Sequence, residues 1–350
     1  MQGRVVLLDE IAGREAAALM VDGQLEDLII DTSDEISFAP GAILRGTIGR
    51  QMKGQGGVFV DLPEGARGFL KEVKGLAPGQ TVICMVSGGT EPGKALPVTL
   101  RVLFKSRYAI VTPGAPGINV SRRIHEENLR ADLQAAAEAV MEGSDMGVIL
   151  RSAAAHVSLE EVAEDVAAMR ELAEAVTNDT EGGPELLVDA PDPHEEAWRD
   201  WAEPLPDEVI EGGFDDHGVT DAIEALLHPR VDLPGGAHLM IEPTRALIAV
   251  DVNTGNDTTP AAALKANIAA ARELPRQLRL RGLGGQVVID FAPMPKRDRQ
   301  ALEQQLRRAV KGEPETSLAG WTPLGNFEMQ RKRDRVPLAR LLRGQTTEAI

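Results

Sequence analysis

The sequence predicts an α+β chain of several subdomains, and three observations carry that prediction. From about Ala39 to Lys105, short Gly-punctuated apolar runs follow one another with no long helical period, as in a small five-stranded OB-type barrel. Further on, a helix-length segment separates two apolar, β-branched runs that each reach a carboxylate, Ala249-Val250-Asp251 and Val287-Val288-Ile289-Asp290. That is strand, helix, strand. Finally, charge is segregated along the 350 residues. The net charge is −17, but residues 158–224 hold 22 acidic residues against Arg170 and Arg199, which leaves +3 for everything else. Residues 36–112 carry ten Lys or Arg against four acids, and residues 262–344 carry seventeen against eight. Local basic surfaces rather than the whole-chain total decide whether a polyanion can bind, so an RNA or DNA partner is not excluded.

Residues 1–35 read as strands at Arg4–Leu8, Ala16–Val21 and Leu25–Ile30, with Asp22-Gly23 as a hairpin turn between the last two. In the Gly-rich segment, Phe59 and Phe69 fall on strand-like runs. On a barrel surface they would stack bases while nearby cations follow the backbone; the plainer alternative puts both in a core. Tyr108–Thr112 and Met146–Leu150 read as strands around a helix over Glu126–Met141, and the second strand runs into Arg151-Ser152. A guanidinium beside a hydroxyl would fork onto a terminal phosphate, with a structural salt bridge as the alternative. Ser158–Thr177 reads as an acidic helix with a Ser-x-x-Glu start. Residues 178–218 are rich in Pro, Gly and acid, with one strand at Glu185–Val188 and one short helix near Ala197; the acidity reads as solvation of a surface. After a helix at Val219–Leu227 and a strand at Ala237–Ile241 comes the strand-helix-strand unit, in which Pro275 is expected to kink or divide the helix over Thr259–Arg281. A helix over Arg297–Val310 and a strand from Phe327 into a basic end complete the pattern.

A strand-helix-strand crossover makes its strands parallel and usually adjacent. Asp251 and Asp290 then share the carboxyl edge, where open α/β sheets place ligands. If the strand continues as far as Asn253, two residues after Asp251, the pleat points both side chains to one face. Two carboxylates and an amide suit a hard divalent cation, Mg²⁺ first. The single Cys84 excludes an intramolecular disulfide and a multi-cysteine zinc site within one chain. No run approaches the ~18 apolar residues of a membrane span, and the first twenty residues lack a signal-peptide core, which gives a cytoplasmic expectation.

These residues together resemble the ribonuclease E/G family. The likeness is carried by "ALIAVDVNTG", by "NIAAARELPRQLRLRGLGGQVVIDF" and the basic helix after it, and, further back, by "VDGQLEDLIID", "GVFVDLPEGARGFL", "NVSRRI" and "MGVILRS", in the family's order. It covers most of the chain apart from roughly 175–218. The resemblance implies an S1-type OB-fold RNA-binding domain over residues 36–105, inserted in a reduced RNase H-like subdomain made of 1–35 and the acidic 158–228. It further implies a 5′-end sensor over 106–157 and a DNase I-like catalytic subdomain over 229–350. It assigns one catalytic Mg²⁺ to Asp251 and Asp290, an orienting role to Asn253, the RNA grip to Phe59, Phe69 and Lys94, and the 5′-monophosphate pocket to Arg151 and Ser152, where Ser stands for the more usual Thr.

Three departures from the family pattern bear on function. The zinc-linking Cys-Pro-x-Cys motif is missing, so no zinc is expected and any homo-oligomer is not zinc-bridged. The RNase H-like part is shortened. Arg245, six residues before Asp251, stands where family members often carry an acid. No scaffold tail is expected to organise a larger assembly. The leading expectation is a Mg²⁺-dependent endoribonuclease cutting single-stranded RNA in rRNA or mRNA processing or decay. The alternatives are a catalytically weak RNA-binding protein of the same fold, and a ribosome-associated factor acting through the OB domain.

Overall fold

The structure is a computed structural model that describes residues 3–51, 56–71, 74–89, 93–257, 259–313 and 315–342. Lys53 and Arg343, counted above among the basic residues, lie outside the described residues. The chain forms two units, one of Gln2–Ala17 with Ile29–Glu211 and one of Ala18–Leu28 with Gly212–Ile350.

Three strands open the chain: β1 (Arg4–Ile11), β2 (Arg14–Val21) and β3 (Gln24–Ile30). Asp22 and Gly23 form the two-residue turn between β2 and β3, both at positive φ (49° and 80°), as a type I′ hairpin turn requires. The boundary between the units crosses this hairpin.

The Gly-rich segment becomes β4 (Ile43–Gln51), β5 (Val58–Asp61), β6 (Arg67–Leu70), β7 (Thr81–Val86) and β8 (Leu96–Thr99). Their order is β4-β5-β6-β8-β7, and β7 pairs back onto β4, which closes a five-stranded barrel. Leu44, Ile48, Val58, Val60, Leu70, Cys84 and Val98 fill it. Next come β9 (Phe104–Lys105), β10 (Ala109–Thr112), β11 (Gly117–Val120), α1 (Glu127–Met141), β12 (Gly147–Leu150) and α2 (Leu159–Asn178). The sheet β11-β12-β10-β9 shares a core with Leu133 and Ala137 of α1 and with Val162, Val166 and Ala173 of α2. The Ser158 hydroxyl accepts the Glu161 N–H at 3.1 Å and so starts α2 as the Ser-x-x-Glu pattern predicts.

The acidic segment is more ordered than its composition suggests. It holds β13 (Glu185–Val188), α3 (Pro193–Asp200) and a further strand, β14 (Glu208–Glu211). β13 extends the barrel by pairing with β4, and β14 runs parallel to β1. Arg45 of β4, buried, binds the Asp179 carboxylate at 2.6 Å, the Gly183 carbonyl at 2.8 Å and the Glu185 carboxylate. Glu-Val-Ile-Glu carries no strand signal of its own; pairing with β1 makes it one.

The second unit adds α4 (Val219–Leu227), β15 (Arg230–Asp232), β16 (His238–Pro243), β17 (Ile248–Asn253), α5 (Pro260–Leu280), β18 (Gly285–Asp290), α6 (Arg299–Ala309), β19 (Thr316–Trp321), β20 (Phe327–Arg331) and α7 (Leu338–Leu341). The sheet order is β15-β16-β17-β18-β20-β19, with β17–β18 its parallel pair. α5 runs through Pro275 undivided, so of the two expected outcomes, a kink or a division, the division does not occur. A proline inside a helix costs about 3 kcal/mol. Leu274, Leu278, Ala270 and Ala271 of α5 are all buried on the sheet, and two buried leucines alone contribute about 3–6 kcal/mol. Among the described residues, no helix is long and apolar enough to cross a membrane.

Within this unit, Asp27 of β3 takes Arg335 at 2.6 Å and lies 3.7 Å from Arg279. Burial pushes the Asp27 carboxyl up, but Arg335 and Arg279 more than reverse this and hold it below the ordinary carboxylate range. A folded pKa below the unfolded one adds stability at pH above about 3.9, and the gain is lost as pH falls through the folded value. Urea unfolding followed from pH 7 to pH 3 is therefore expected to show a steep acid loss that Asp27→Asn flattens, with the variant less stable at pH 7.

Candidate active site and nucleic-acid interface

Alternation along β17 and β18 sends Ile248, Val250, Val252, Val287 and Ile289 into the core. Asp251, Asn253 and Asp290 therefore face the other side of the sheet. Asp251 and Asp290 are register partners across the parallel pair, and both are exposed. Neighbouring strands run ~4.8 Å apart, where two carboxylates repel by about 1 kcal/mol even in water; a bound cation would reverse that sign. Asn253 Nδ2 donates to Asp251 Oδ2 at 2.6 Å, a bond that pins that oxygen and does not involve Oδ1. The backbone just after Asp290 is clamped from α5. Asn267, fully buried, donates from Nδ2 to the Ala292 carbonyl at 2.9 Å and accepts the Ala292 N–H on Oδ1 at 3.0 Å.

The donor set fits Mg²⁺. It is all oxygen and supplies two carboxylates, the number that Mg²⁺ takes when water and phosphate oxygens complete its shell. Among the described residues no group of three or more His, Cys, Asp or Glu is placed to hold a metal ion. Burial in the barrel pushes the Cys84 thiol up to about 12, so it is not a thiolate ligand. Arg245 is not beside the aspartates. It lies in the turn between β16 and β17, where Pro243 pairs with Ile248, at the end of β17 opposite Asp251. Three steps along the strand separate Ile248 from Asp251, about 10 Å. The residues that do flank the site on β16 are Met240, paired with Asp251, and His238, paired with Asn253.

On the barrel, Phe59 and Phe69 are cross-strand partners of β5 and β6, with ring centroids 5.7 Å apart and planes at 64°. Both are half-buried and stand outside the barrel core, so the core alternative fails. With Lys94, Arg67, Gly65, Gly93 and Ala95 they line an open cavity of about 690 Å³. The Arg67 guanidinium lies 5.9 Å from the Phe59 ring centre. Arg67 and Phe69 have the same parity on β6, so strand periodicity alone could have found this cation. At β12, the Arg151 side chain donates to the Ser106 carbonyl and to Asp200, each at 2.7 Å, and Ser152 begins the short 3-10 helix that follows.

The sequence profile of the Ribonuclease E/G family matches residues 104–211 and 207–334, more than half of the chain. This chain belongs to the Ribonuclease E/G family. It is 30% identical over 379 residues to Ribonuclease E of Nostoc sp., an alignment covering 91% of this chain and 54% of that protein. It is 28% identical over 380 residues to Ribonuclease E of Synechocystis sp., covering 91% and 55%. With Ribonuclease G of Escherichia coli the identity is 28% over 405 residues, covering 96% and 81%. The chain thus spans about half the length of the Ribonuclease E relatives and about four fifths of the Ribonuclease G relative.

In this member of the Ribonuclease E/G family, two positions support the candidate sites from behind. A Cβ on Gly57 would stand 2.5 Å from the Phe69 ring and 2.6 Å from the Leu70 carbonyl. Gly57→Ala is expected to displace Phe69 and weaken single-stranded RNA binding several-fold in a fluorescence titration, within the ~1–3 kcal/mol of one stacked base. Asn267→Asp keeps the shape but loses the donor to Ala292. Thermal or urea unfolding should show a loss of about 1–3 kcal/mol, with RNA affinity of the barrel unchanged.

Proposed function

We propose that the chain is a Mg²⁺-dependent endoribonuclease that cuts single-stranded RNA in the cytoplasm, in the processing or decay of rRNA or mRNA, and that it senses the RNA 5′ end. The observation that carries this reading is the register pairing of Asp251 with Asp290 on one exposed sheet face, with Asn253 bonded to Asp251. The names of the relatives, Ribonuclease E and Ribonuclease G, support it.

Asp251 and Asp290 would hold the ion, and Asn253 keeps the Asp251 carboxylate turned to receive it. Bound there, Mg²⁺ would supply a Lewis acid for the scissile phosphodiester and lower the pKa of a nearby water. Asn267 holds the backbone behind Asp290 so that the carboxylate keeps its place. Phe59 and Phe69 would stack unpaired bases, which every single strand presents and a duplex does not. Lys94 and Arg67 would face the backbone phosphates. Arg151 and Ser152 would meet a 5′-monophosphate.

The test is cleavage of a 5′-monophosphorylated single-stranded oligonucleotide with and without Mg²⁺. Asp251→Asn and Asp290→Asn are each expected to lower the rate by about 10³-fold, the scale of several kcal/mol, while RNA affinity stays near wild type. Full activity of the double variant would refute the mechanism. Salt-sensitive binding with no Mg²⁺-dependent product would favour the non-catalytic RNA-binding reading instead.

A further inference from the structure

Arg151 and Arg199, both in the first unit, close on a single carboxylate. Arg151 Nη2 donates to Asp200 Oδ1 and Arg199 Nη2 to Asp200 Oδ2, each at 2.7 Å, so both oxygens are held by guanidinium groups. Arg151 is steadied by its bond to the Ser106 carbonyl. Arg107 stands alongside, its guanidinium 4.6 Å over the Trp198 ring, and Lys105 is within electrostatic reach of the Asp200 charge. Burial pushes the Asp200 carboxyl up, yet Arg199 and then Arg151 hold it below the ordinary carboxylate range, so it is ionised at neutral pH.

Asp200 is the last residue of α3, where the helix dipole disfavours a negative charge. Its stability in that place comes from the two arginines. Paired guanidinium forks with further cations nearby are also how proteins hold a terminal phosphate. Here the chain supplies the anion itself.

We infer that Asp200 is a built-in occupant of the Arg151 anion site and determines which RNA 5′ ends the chain favours. The inference rests on the proposed sensing of a 5′-monophosphate at Arg151, not on RNA cleavage. A 5′-monophosphate must displace Asp200 from Arg151, whereas a 5′-hydroxyl end has no such demand. Apparent affinity for the phosphate is divided by the fraction of molecules with Asp200 withdrawn. If the withdrawn state is populated at about 10%, the upper end for a minor conformer, removing the Asp200 charge gains about tenfold.

The experiment compares 3′-labelled single-stranded oligonucleotides bearing a 5′-monophosphate or a 5′-hydroxyl, bound to the full chain without divalent cations. Asp200→Asn and Asp200→Ser are measured in parallel, with thermal melting to establish that at least one is folded. The expected result is a monophosphate-over-hydroxyl affinity ratio about tenfold above wild type, with hydroxyl-end affinity unchanged. Adding Arg151→Gln to either variant should abolish the gain. A ratio equal to wild type in a folded variant overturns the inference, as does a gain that survives Arg151→Gln. Because the readout is binding, a chain that binds RNA but does not cut it refutes the nuclease reading and leaves this test intact.

Discussion

The parallel pairing of β17 with β18 is the constraint on which the candidate active site depends. Parallel neighbours cannot be joined by a tight turn, so the chain must cross over, and α5 makes that crossing while burying its apolar stripe on the sheet. The same packing keeps α5 whole across Pro275 and brings Asn267 under the Ala292 backbone. A slip of one residue in either strand would send one aspartate into the core. The hydrophobic alternation of both strands thus protects the carboxylate pair, although the pair itself is repulsive.

The acidic segment changes the meaning of the net charge. Several of its carboxylates, exposed or half-buried, are paired with specific basic side chains. Asp179 and Glu185 meet Arg45, Asp200 meets Arg151 and Arg199, and Glu203 meets His156. This internal pairing is compatible with a barrel face on which Arg67 and Lys94 flank two half-exposed phenylalanines. For a chain with a total of −17 that is proposed to bind RNA, the place where the negative charge is neutralised matters more than its sum.

Much of the architecture is legible in the amino-acid sequence because its causes are local. Asp22-Gly23 dictates a type I′ turn through backbone sterics, Ser158 and Glu161 start a helix, and Gly-rich alternation produces a barrel. Other features have their cause elsewhere in the chain and leave no local mark. β14 exists by pairing with β1, and β13 joins the barrel through β4 and the reach of Arg45. Arg245 stands far from Asp251 because the five residues between them in sequence include part of a turn, which places Arg245 at the opposite end of the strand.

The sequence by itself determined that Asp251 and Asn253 lie on one face and that Asp290 ends a strand parallel to theirs, since pleat parity and crossover geometry are properties of short segments. Only the tertiary structure decided that Asp251 and Asp290 stand in the same register, that Phe59 and Phe69 are outside the core, and that Arg151 is already bound by Asp200. Register, barrel closure and ion-pair choice are each set by partners tens of residues away, where no local pattern records which group will arrive.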